Sequence, residues 1–528
     1  MPRASQCIMS DQQLNGAQAL VKALTDSDVD VCFANPGTSE MHFVAALDTN
    51  PQMRCVLGLF EGVVTGAADG YARMAGKPAA TLLHTGPGLA NGLANIHNAK
   101  KARTPMVNII GDHATYHRRF DAPLSADVEG IAAPMSHWVG SADTADEVAA
   151  MGAAAIEASM VAPGQVASLI LPADTAWNPT TKTAVADLTT VPAPDAPDER
   201  AIDTAAAAIT SGAACTLVLG GTITQQRARL VGQLTAGTGT RVFCSTWAPR
   251  QESGAGRSPV ARLQYFGELA AQQLDGTEHL IIIGGHPPIT FFAYPDKPNE
   301  LTPDGATVHQ ICEITGDIDG ALEALVERSG AADAAPKILE LDRPTLPDGE
   351  LDATAVGRAM AHLMPDNAIV VNEAGTAGGG YQSALRGTPS FTLLALTGGS
   401  IGYGLPAATG AAIACPDRRV FAMQADGGGM YTVQALWTQA REGLDVTNVI
   451  FNNGKYAILQ FEFDRVGAHS PGPKAMSMLD LTNPALDWVS LATGMGVPAE
   501  RATTADEFNA ALATSLATPG PSLIEVMI

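Results

Sequence analysis

Basic residues are scarce in this chain, and so are charged and aromatic residues in general. The 528 residues include 31 Lys and Arg against 54 Asp and Glu, which gives a formal net charge of −23 at pH 7. An acidic surface repels phosphate backbones, so we expect no nucleic-acid partner. Because 46% of the residues are hydrophobic, the chain can build large cores, and its length predicts two or three domains.

Cysteine motifs, a secretory leader and membrane spans are also missing. The seven cysteines are scattered and form no CxxC motif, which argues against a structural zinc site and against a disulfide framework. The first residues, MPRASQCIMSDQQ, lack the apolar core of a signal peptide. No apolar run approaches the roughly 20 residues of a membrane helix. We therefore expect a cytoplasmic protein without a membrane partner.

Short apolar runs alternate with Ala-rich helical patterns along the whole chain. The runs are VDVCFA, AATLLH, PMVNIIG, CTLVLGG, HLIIIGG, AIVVNE, RVFAMQ and VTNVIFN. This alternation is typical of α/β folds with parallel sheets. Two stretches rich in Pro, Thr and Asp, around 178–200 and 328–350, are predicted to be linkers. They predict three α/β domains, at residues 10–177, 198–330 and 350–528.

One stretch, ADGGGMYTVQALWTQAREGLDVTNVIFNNGKY, combines an acid, a glycine run and paired asparagines. Asp426 follows one predicted strand, a predicted helix comes next, and Asn453 follows the next strand. Ligands bind at this edge of open α/β sheets, and free N–H groups at a helix start suit a phosphate. Carboxylate, amide and backbone oxygens suit Mg²⁺. The pattern predicts a metal that bridges a diphosphate; the alternative is an ordinary Gly-rich turn.

This stretch resembles the thiamine diphosphate (ThDP) fingerprint, which begins Gly-Asp-Gly and ends Asn-Asn. The resemblance implies three doubly wound parallel-sheet domains: pyrimidine-binding, central and diphosphate-binding. It implies Mg²⁺ ligation by the side chains of Asp426 and Asn453 and by the carbonyl of Lys455. Two positions depart from the fingerprint, since Ala425 replaces its first glycine and Gly428 a frequent serine. The cofactor contacts it implies in this third of the chain are Gly375, Thr376, Gly427, Gly428, Tyr456 and Ile458.

An acid that activates the cofactor is expected far upstream. Glu61 follows the apolar run VLGLF and begins a predicted helix of small residues. A lone glutamate there is most simply a first-turn acid that favours the helix dipole. The surrounding segment, however, is similar to the pyrimidine-binding region of ThDP enzymes in its DGYAR run and in its TGPG turn with Asn91. That resemblance implies that Glu61 shares a proton with the pyrimidine ring.

A third region, ALTGGSIGYGLPAATGAAIA, resembles the segment that holds ThDP in its bent shape. There Ile401 matches the apolar wedge and Gly399 matches the carbonyl that receives the amino group. A core isoleucine is the alternative for Ile401. In this family the glutamate of one subunit faces the diphosphate domain of another. The resemblance therefore implies a dimer or tetramer with the active site at an interface.

The chain is most similar to the branch of acetolactate synthase and benzoylformate decarboxylase. FANPGTSEM places Thr38 at a substrate-contacting serine, and LLHTGPG places His84 at a catalytic histidine of the decarboxylase. His84 could equally be a satisfied turn histidine, and the second decarboxylase histidine has no counterpart. The flavin loop of acetolactate synthase is also absent, because the matching stretch reads RLQYFGELA. FAD binding is thus left open but without support.

Two features stay open. His113, His117, Arg118 and Arg119 form either a loop whose arginines hold a substrate carboxylate or a solvated basic loop. Glu462, where relatives often carry an aromatic residue, has no explanation in the sequence.

The sequence predicts a ThDP- and Mg²⁺-dependent enzyme that decarboxylates a 2-oxo acid and joins the acyl unit to a second carbonyl, as acetolactate synthase does. The first alternative is simple decarboxylation of the benzoylformate type. The alternative of another class is a non-catalytic scaffold or regulator with the same fold.

Overall fold

The computed structural model describes residues 13–385 and 387–528. Within these residues three largely parallel sheets follow one another along the chain, each with helices between its strands. All the apolar runs predicted to be strands form strands. The predicted α/β architecture is therefore confirmed, while the three predicted domain boundaries remain predictions.

The N-terminal part of the chain forms the first sheet. Its strands are β1 (Leu14–Asn15), β2 (Val31–Asn35), β3 (Arg54–Leu57), β4 (Ala79–Leu83), β5 (Met106–Asp112), β6 (Trp138–Ser141), β7 (Val166–Pro172) and β8 (Pro179–Thr180). Its helices are α1 (Gly16–Asp26), α2 (Met41–Leu47), α3 (Glu61–Ala75), α4 (Thr85–Ala102), α5 (Val128–Ala132), α6 (Ala145–Ser159) and α7 (Ala173–Trp177). The strands of the sheet are all parallel, in the order β3-β2-β4-β5-β7-β6. Strands β1 and β8 form a separate two-stranded antiparallel sheet.

The middle of the chain forms the second sheet, with parallel strand order β12-β10-β9-β13-β14. The strands of this part are β9 (Cys215–Leu219), β10 (Arg241–Cys244), β11 (Arg250–Ser253), β12 (Ala261–Arg262), β13 (His279–Ile283) and β14 (Thr307–Cys312). Its helices are α8 (Glu199–Thr210), α9 (Gln225–Thr238), α10 (Gly267–Leu274) and α11 (Ile318–Arg328). Strand β11 leaves this sheet and pairs with the third one.

The C-terminal part forms the third sheet. Its strands are β15 (Ala368–Glu373), β16 (Phe391–Ala395), β17 (Val420–Ala425), β18 (Val446–Asn452), β19 (Ala499–Ala502) and β20 (Ser522–Met527). Its helices are α12 (Ala353–Leu363), α13 (Gly378–Ala384), α14 (Gly404–Ala414), α15 (Asp426–Gly429), α16 (Ala435–Glu442), α17 (Ala457–Arg465), α18 (Pro473–Ser477), α19 (Trp488–Gly494) and α20 (Ala505–Ala517). The order is β11-β16-β15-β17-β18-β20-β19, and only β11 is antiparallel to its neighbour.

Helices α3 and α14 join the first and third sheets across a shared core. Glycines allow their backbones to approach closely: a Cβ on Gly70 would lie 2.0 Å from the Ala407 carbonyl oxygen, and one on Gly410 would lie 1.8 Å from that of Ala67. This packing places the end of α3 that carries Glu61 near the loop that precedes α14. In the described ranges, no helix has the length and apolarity to cross a bilayer.

Candidate functional site

One group of predicted site residues lies at the carboxyl ends of β2, β3 and β4. Parallel strands present these ends at one sheet edge, where the connections to the next helices begin. Thr38 and Glu40 lie in the turn after β2, Glu61 begins α3 after β3, and His84 directly precedes α4. Thr38 is exposed at this edge.

Glu61 is buried, as expected for an activating acid, with 7% of the residue exposed. Its Oε2 accepts a hydrogen bond of 3.0 Å from the Asn91 side-chain amide on α4. Its Oε1 packs against Gly88, where an added Cβ would lie 2.8 Å away. The carboxylate also lies in the first turn of α3, where the helix dipole favours negative charge. Both the site interpretation and the simpler helix-start interpretation are compatible with this position.

His84 is held by a glutamate that the sequence interpretation missed. Its Nδ1 lies 2.8 Å from Oε2 of Glu40, which also accepts 2.7 Å from the backbone N–H of Gly37. Glu40 is 1% exposed, and its Oε1 has no hydrogen-bond partner among the described residues. The His84 side chain remains 25% exposed. Glu40 therefore orients the ring and leaves Nε2 as its outward-facing nitrogen.

We expect Glu40→Gln to lower turnover about 100-fold, the low end of the roughly 10²- to 10⁴-fold that proton transfer by a positioned side chain contributes, because Glu40 acts only by orienting His84. Glutamine can keep an oxygen at the Oε2 position, so the change removes charge with little change of shape. The measurement is kcat against KM for the variant and for Glu129→Gln, an exposed glutamate on α5 as control. Unchanged kcat in Glu40→Gln would show that His84 needs no charged partner.

A second group lies at the carboxyl ends of β17 and β18. Asp426 is 2% exposed; its Oδ1 accepts 2.8 Å from the N–H of Gly427 and its Oδ2 accepts 2.8 Å from that of Gly454. Burial raises the pKa of the Asp426 carboxyl. No Lys, Arg or His of the described chain lies within ion-pair distance of it. A buried carboxylate without a cationic partner suits a bound cation.

The remaining predicted oxygen ligands lie beside Asp426. Asn453 follows β18, and its Oδ1 accepts 3.1 Å from the N–H of Lys455, an exposed residue. Carboxylate, amide and carbonyl oxygens are the ligand types that Mg²⁺ prefers, so these residues fit the predicted metal. Among the described residues no group of three or more His, Cys, Asp or Glu side chains is arranged to hold a metal ion, and the candidate site itself carries a single carboxylate, that of Asp426.

Glycines line the same edge. A Cβ on Gly427 would lie 2.4 Å from the Tyr456 ring. A Cβ on Gly428 would likewise lie close to the side chains of Gln424 and Glu373. Gly375 has φ +55° and faces Ala425, while Thr376 beside it is exposed. The helix predicted over YTVQALWTQAREG begins only at Ala435, because α15 and a short 3-10 turn come first. The close approach of neighbours explains why small residues occupy this turn.

The loop of residues 399–403, which we name the wedge loop, lies between these groups. Ile401 is 36% exposed, so it is not a core residue, and Gly399 has φ +75°. The buried Glu373 carboxylate accepts hydrogen bonds from the N–H groups of Gly402 (2.6 Å), Tyr403 (2.8 Å) and Gly404 (2.6 Å). Burial raises the pKa of Glu373 to about 7, although these donors lower it in part.

Two asparagines of α4 hold the wedge loop from the other side. Asn98 donates 2.8 Å to the Ser400 carbonyl, and Asn95 donates both to Gly402 (3.1 Å) and to Gly62 (2.8 Å). The sequence predicted no role for four of these residues: Glu40, Asn95, Asn98 and Glu373. Glu373 could have been found as an acid at the end of a buried strand and Glu40 as an acid in the turn after one, but nothing local distinguishes the asparagines from ordinary helix residues.

The two predicted groups are not joined within one chain. No hydrogen bond or ion pair among the described residues links the Glu61 group to the Asp426 group. Ile458 lies partly buried in the first turn of α17, on the side of the Asp426 group.

Residues of the basic loop after β5 already contact one another and neighbouring side chains. Arg118 donates 2.8 Å to Asp112, Arg119 stacks on Phe120 at 4.7 Å, and the rings of His113 and His117 lie 5.5 Å apart. Of the two predicted carboxylate-binding arginines, one is therefore already paired with an acid.

Comparisons with known proteins show what this chain is similar to. Residues 14–133 match the family "Thiamine pyrophosphate enzyme, N-terminal TPP binding domain", and residues 375–526 match the corresponding C-terminal TPP binding domain. A Mycobacterium tuberculosis protein named "Putative acetolactate synthase large subunit IlvX" is 50% identical over 98% of this chain and 99% of its own. Benzoylformate decarboxylase of Pseudomonas aeruginosa is 29% identical over 94% of this chain and 95% of its own.

A solved structure shows the same fold. The ThDP-dependent 4-hydroxybenzoylformate decarboxylase of Rhodococcus jostii superposes with a TM-score of 0.83 at 23% identity, over 97% of this chain and 99% of the other.

Proposed function

Because the chain belongs to the thiamine diphosphate (thiamine pyrophosphate) enzymes, we propose that it decarboxylates a 2-oxo acid and joins the acyl unit to a second carbonyl compound. The proposal follows the name of the Mycobacterium tuberculosis relative, "Putative acetolactate synthase large subunit IlvX", to which the chain is 50% identical over nearly its whole length. The observation that carries it is the buried Glu61 carboxylate, which meets the Asn91 amide at the start of α3.

When bound, ThDP supplies the nucleophilic carbon and the electron sink that loss of CO2 requires. Glu61 would contact the pyrimidine end and exchange a proton at its carboxylate, while Asn91 holds that carboxylate in place. Ile401 would support the bent shape from the wedge loop, and Glu373 keeps that loop in position through three backbone N–H groups.

The diphosphate end would lie on the glycines of α15, with Gly375 and Thr376 beside them. Asp426, Asn453 and the Lys455 carbonyl would hold Mg²⁺ there. The support for this assignment is the oxygen-only donor set and the buried Asp426 carboxylate without a cationic neighbour in the described chain.

We further propose that a second copy of the chain completes the site. In support, no hydrogen bond or ion pair among the described residues of one chain joins Glu61 to the Asp426 group. Two copies that exchange these groups would form two equivalent sites, and a dimer would be the smallest active unit.

A second candidate function is decarboxylation without ligation. The Glu40–His84 pair favours it, because an oriented imidazole near Glu61 can hold a proton at Nε2 and deliver it to the product. The product would then be a free aldehyde.

The experiment is a panel of 2-oxo acids (pyruvate, 2-oxobutyrate, branched-chain and aromatic acids) with ThDP and Mg²⁺, and with EDTA as the metal-free control. We expect CO2 release that EDTA abolishes, with an acetohydroxy acid or 2-hydroxy ketone identified by mass. Free aldehyde in place of a ligated product would favour the second candidate. Absence of CO2 from every acid would contradict both.

A further inference from the structure

A row of three polar side chains crosses one face of the third sheet. Strands β18, β20 and β19 are neighbours and run parallel. Glu525 of β20 pairs in register with Arg501 of β19 and with Ile450 of β18. Asn452 lies two residues beyond Ile450, and alternate residues of a strand share a face. Arg501, Glu525 and Asn452 therefore lie side by side, and we name them the polar row.

Glu525 is the buried centre of this row, since none of its surface is exposed. Its Oε1 accepts 2.7 Å from the Asn452 side-chain amide, and its Oε2 accepts 2.8 Å from Nε of Arg501. Arg501 is half exposed and donates a further 3.1 Å to Asp487. A buried carboxylate is costly unless it is paired and hydrogen-bonded, and an apolar residue there would serve the fold as well. The role of Glu525 is therefore to be sought in what it holds.

Glu525 sets the direction of the Asn452 amide. Because Nδ2 of Asn452 donates to Glu525, its Oδ1 faces the other way and accepts 3.1 Å from the N–H of Gly454. The same N–H donates 2.8 Å to Oδ2 of Asp426. A reversed amide would place an NH2 group against the N–H of Gly454, two donors facing each other. The carboxylate thus selects the orientation that keeps the bond to Gly454.

The turn that Asn452 holds carries two of the proposed metal ligands. Asn453 and the Lys455 carbonyl flank Gly454, whose φ is +66°. The backbone of the turn is also tied to the end of the chain, because the N–H of Ile528 donates 3.1 Å to the Asn452 carbonyl. Mg²⁺ demands near-ideal octahedral geometry, so the exact position of such a turn decides how well it is bound.

We propose that Glu525 is a positioning residue for the divalent cation: through Asn452 it fixes the turn of residues 452–455 and thereby sets the metal affinity. The inference rests on the metal assignment in the proposed function and extends it to a residue that contacts neither metal nor cofactor. Residues that orient metal ligands in this way contribute about 10- to 100-fold to metal affinity.

The experiment measures Mn²⁺ affinity in the presence of ThDP, from the electron paramagnetic resonance signal of the free ion. Mn²⁺ is the probe because it takes the same oxygen ligands as Mg²⁺. We expect Glu525→Met to bind Mn²⁺ about 10- to 100-fold more weakly, since methionine fills a similar volume but leaves the Asn452 amide without its acceptor. Glu525→Gln should keep most of the native affinity, because its amide oxygen can still accept from Asn452.

Asp487→Asn is the matched control. It changes only the outer partner of Arg501 and keeps an acceptor at the start of α19, so Mn²⁺ affinity should be unchanged. The melting temperature without metal and ThDP shows whether each variant folds. Native Mn²⁺ affinity in a folded Glu525→Met protein, or an equal loss in Glu525→Gln, overturns the inference.

A double variant tests whether Glu525 acts through Asn452. Asn452→Ala should weaken Mn²⁺ binding as Glu525→Met does, and the two changes together should cost no more than either alone, because they break the same link. Additive losses overturn the inference, and so does a native protein that binds no Mn²⁺. Failure of the proposed function is seen separately, as absence of CO2 from every 2-oxo acid, while the Mn²⁺ titration needs no turnover.

Discussion

Glu61→Gln should reduce turnover at least about 100-fold while ThDP affinity stays nearly unchanged, because loss of a positioned proton-transfer group costs about 10²- to 10⁴-fold. Glutamine keeps the shape of the side chain and can still bond Asn91, but it can neither release nor accept the carboxyl proton. Turnover is measured with the best acid of the panel. Affinity is measured by the rise in melting temperature with ThDP and Mg²⁺, as ligand linkage requires.

Glu129→Gln is the matched control, because Glu129 is an exposed glutamate in α5, outside the site. It should leave both turnover and ThDP affinity unchanged. A Glu61→Gln protein with more than a tenth of the native rate would exclude Glu61 as the activating acid. Loss of ThDP binding together with activity would instead indicate that Glu61 serves to hold the cofactor.

Asp69→Asn should lower the free energy of unfolding by about 3–5 kcal/mol, the usual cost of breaking a buried ion pair by removing one partner. Asp69 and Arg73 pair at 2.6 Å, with side chains 0% and 4% exposed. Arg73 also donates 2.7 Å to the Ala395 carbonyl and 3.1 Å to the Thr397 hydroxyl, so it ties α3 to the third sheet. Without Asp69, its buried guanidinium would lose its only acidic partner in the described chain.

The measurement is the shift of the first unfolding transition by calorimetry, since a chain of this size need not unfold in one step. Asp26→Asn is the control, because Lys22 and Asp26 form an ion pair with the same spacing on an exposed helix face. It should cost less than about 1 kcal/mol. Equal shifts in the two variants would mean that burial of the Asp69–Arg73 pair adds nothing to stability.

Much of the fold could be predicted from the sequence. The apolar runs correctly predicted strands such as β9, β13, β17 and β18, because a buried parallel strand is apolar on both faces. Helix α3 could be predicted to begin at Glu61 from the small residues that follow it. Strand β11 shows the limit: it follows β10 in the chain yet pairs with β16 of the third sheet.

For the site, the sequence by itself identified the candidate residues that lie in short motifs, and their roles stay predictions. Asp426, Asn453, Glu61 and the family resemblance all depend on which residue types follow which strands, and that information is local. Parallel strands then bring such residues to one sheet edge whatever the remaining sequence is.

Only the tertiary structure decided the partners of these residues. Glu40 reaches His84 across 44 positions, Glu373 reaches the wedge loop across 29 to 31, and Phe291, in the segment between β13 and β14, meets Gly399. Such contacts depend on strand order and on helix packing between sheets, which are set by the sum of many burial energies and not by any local pattern.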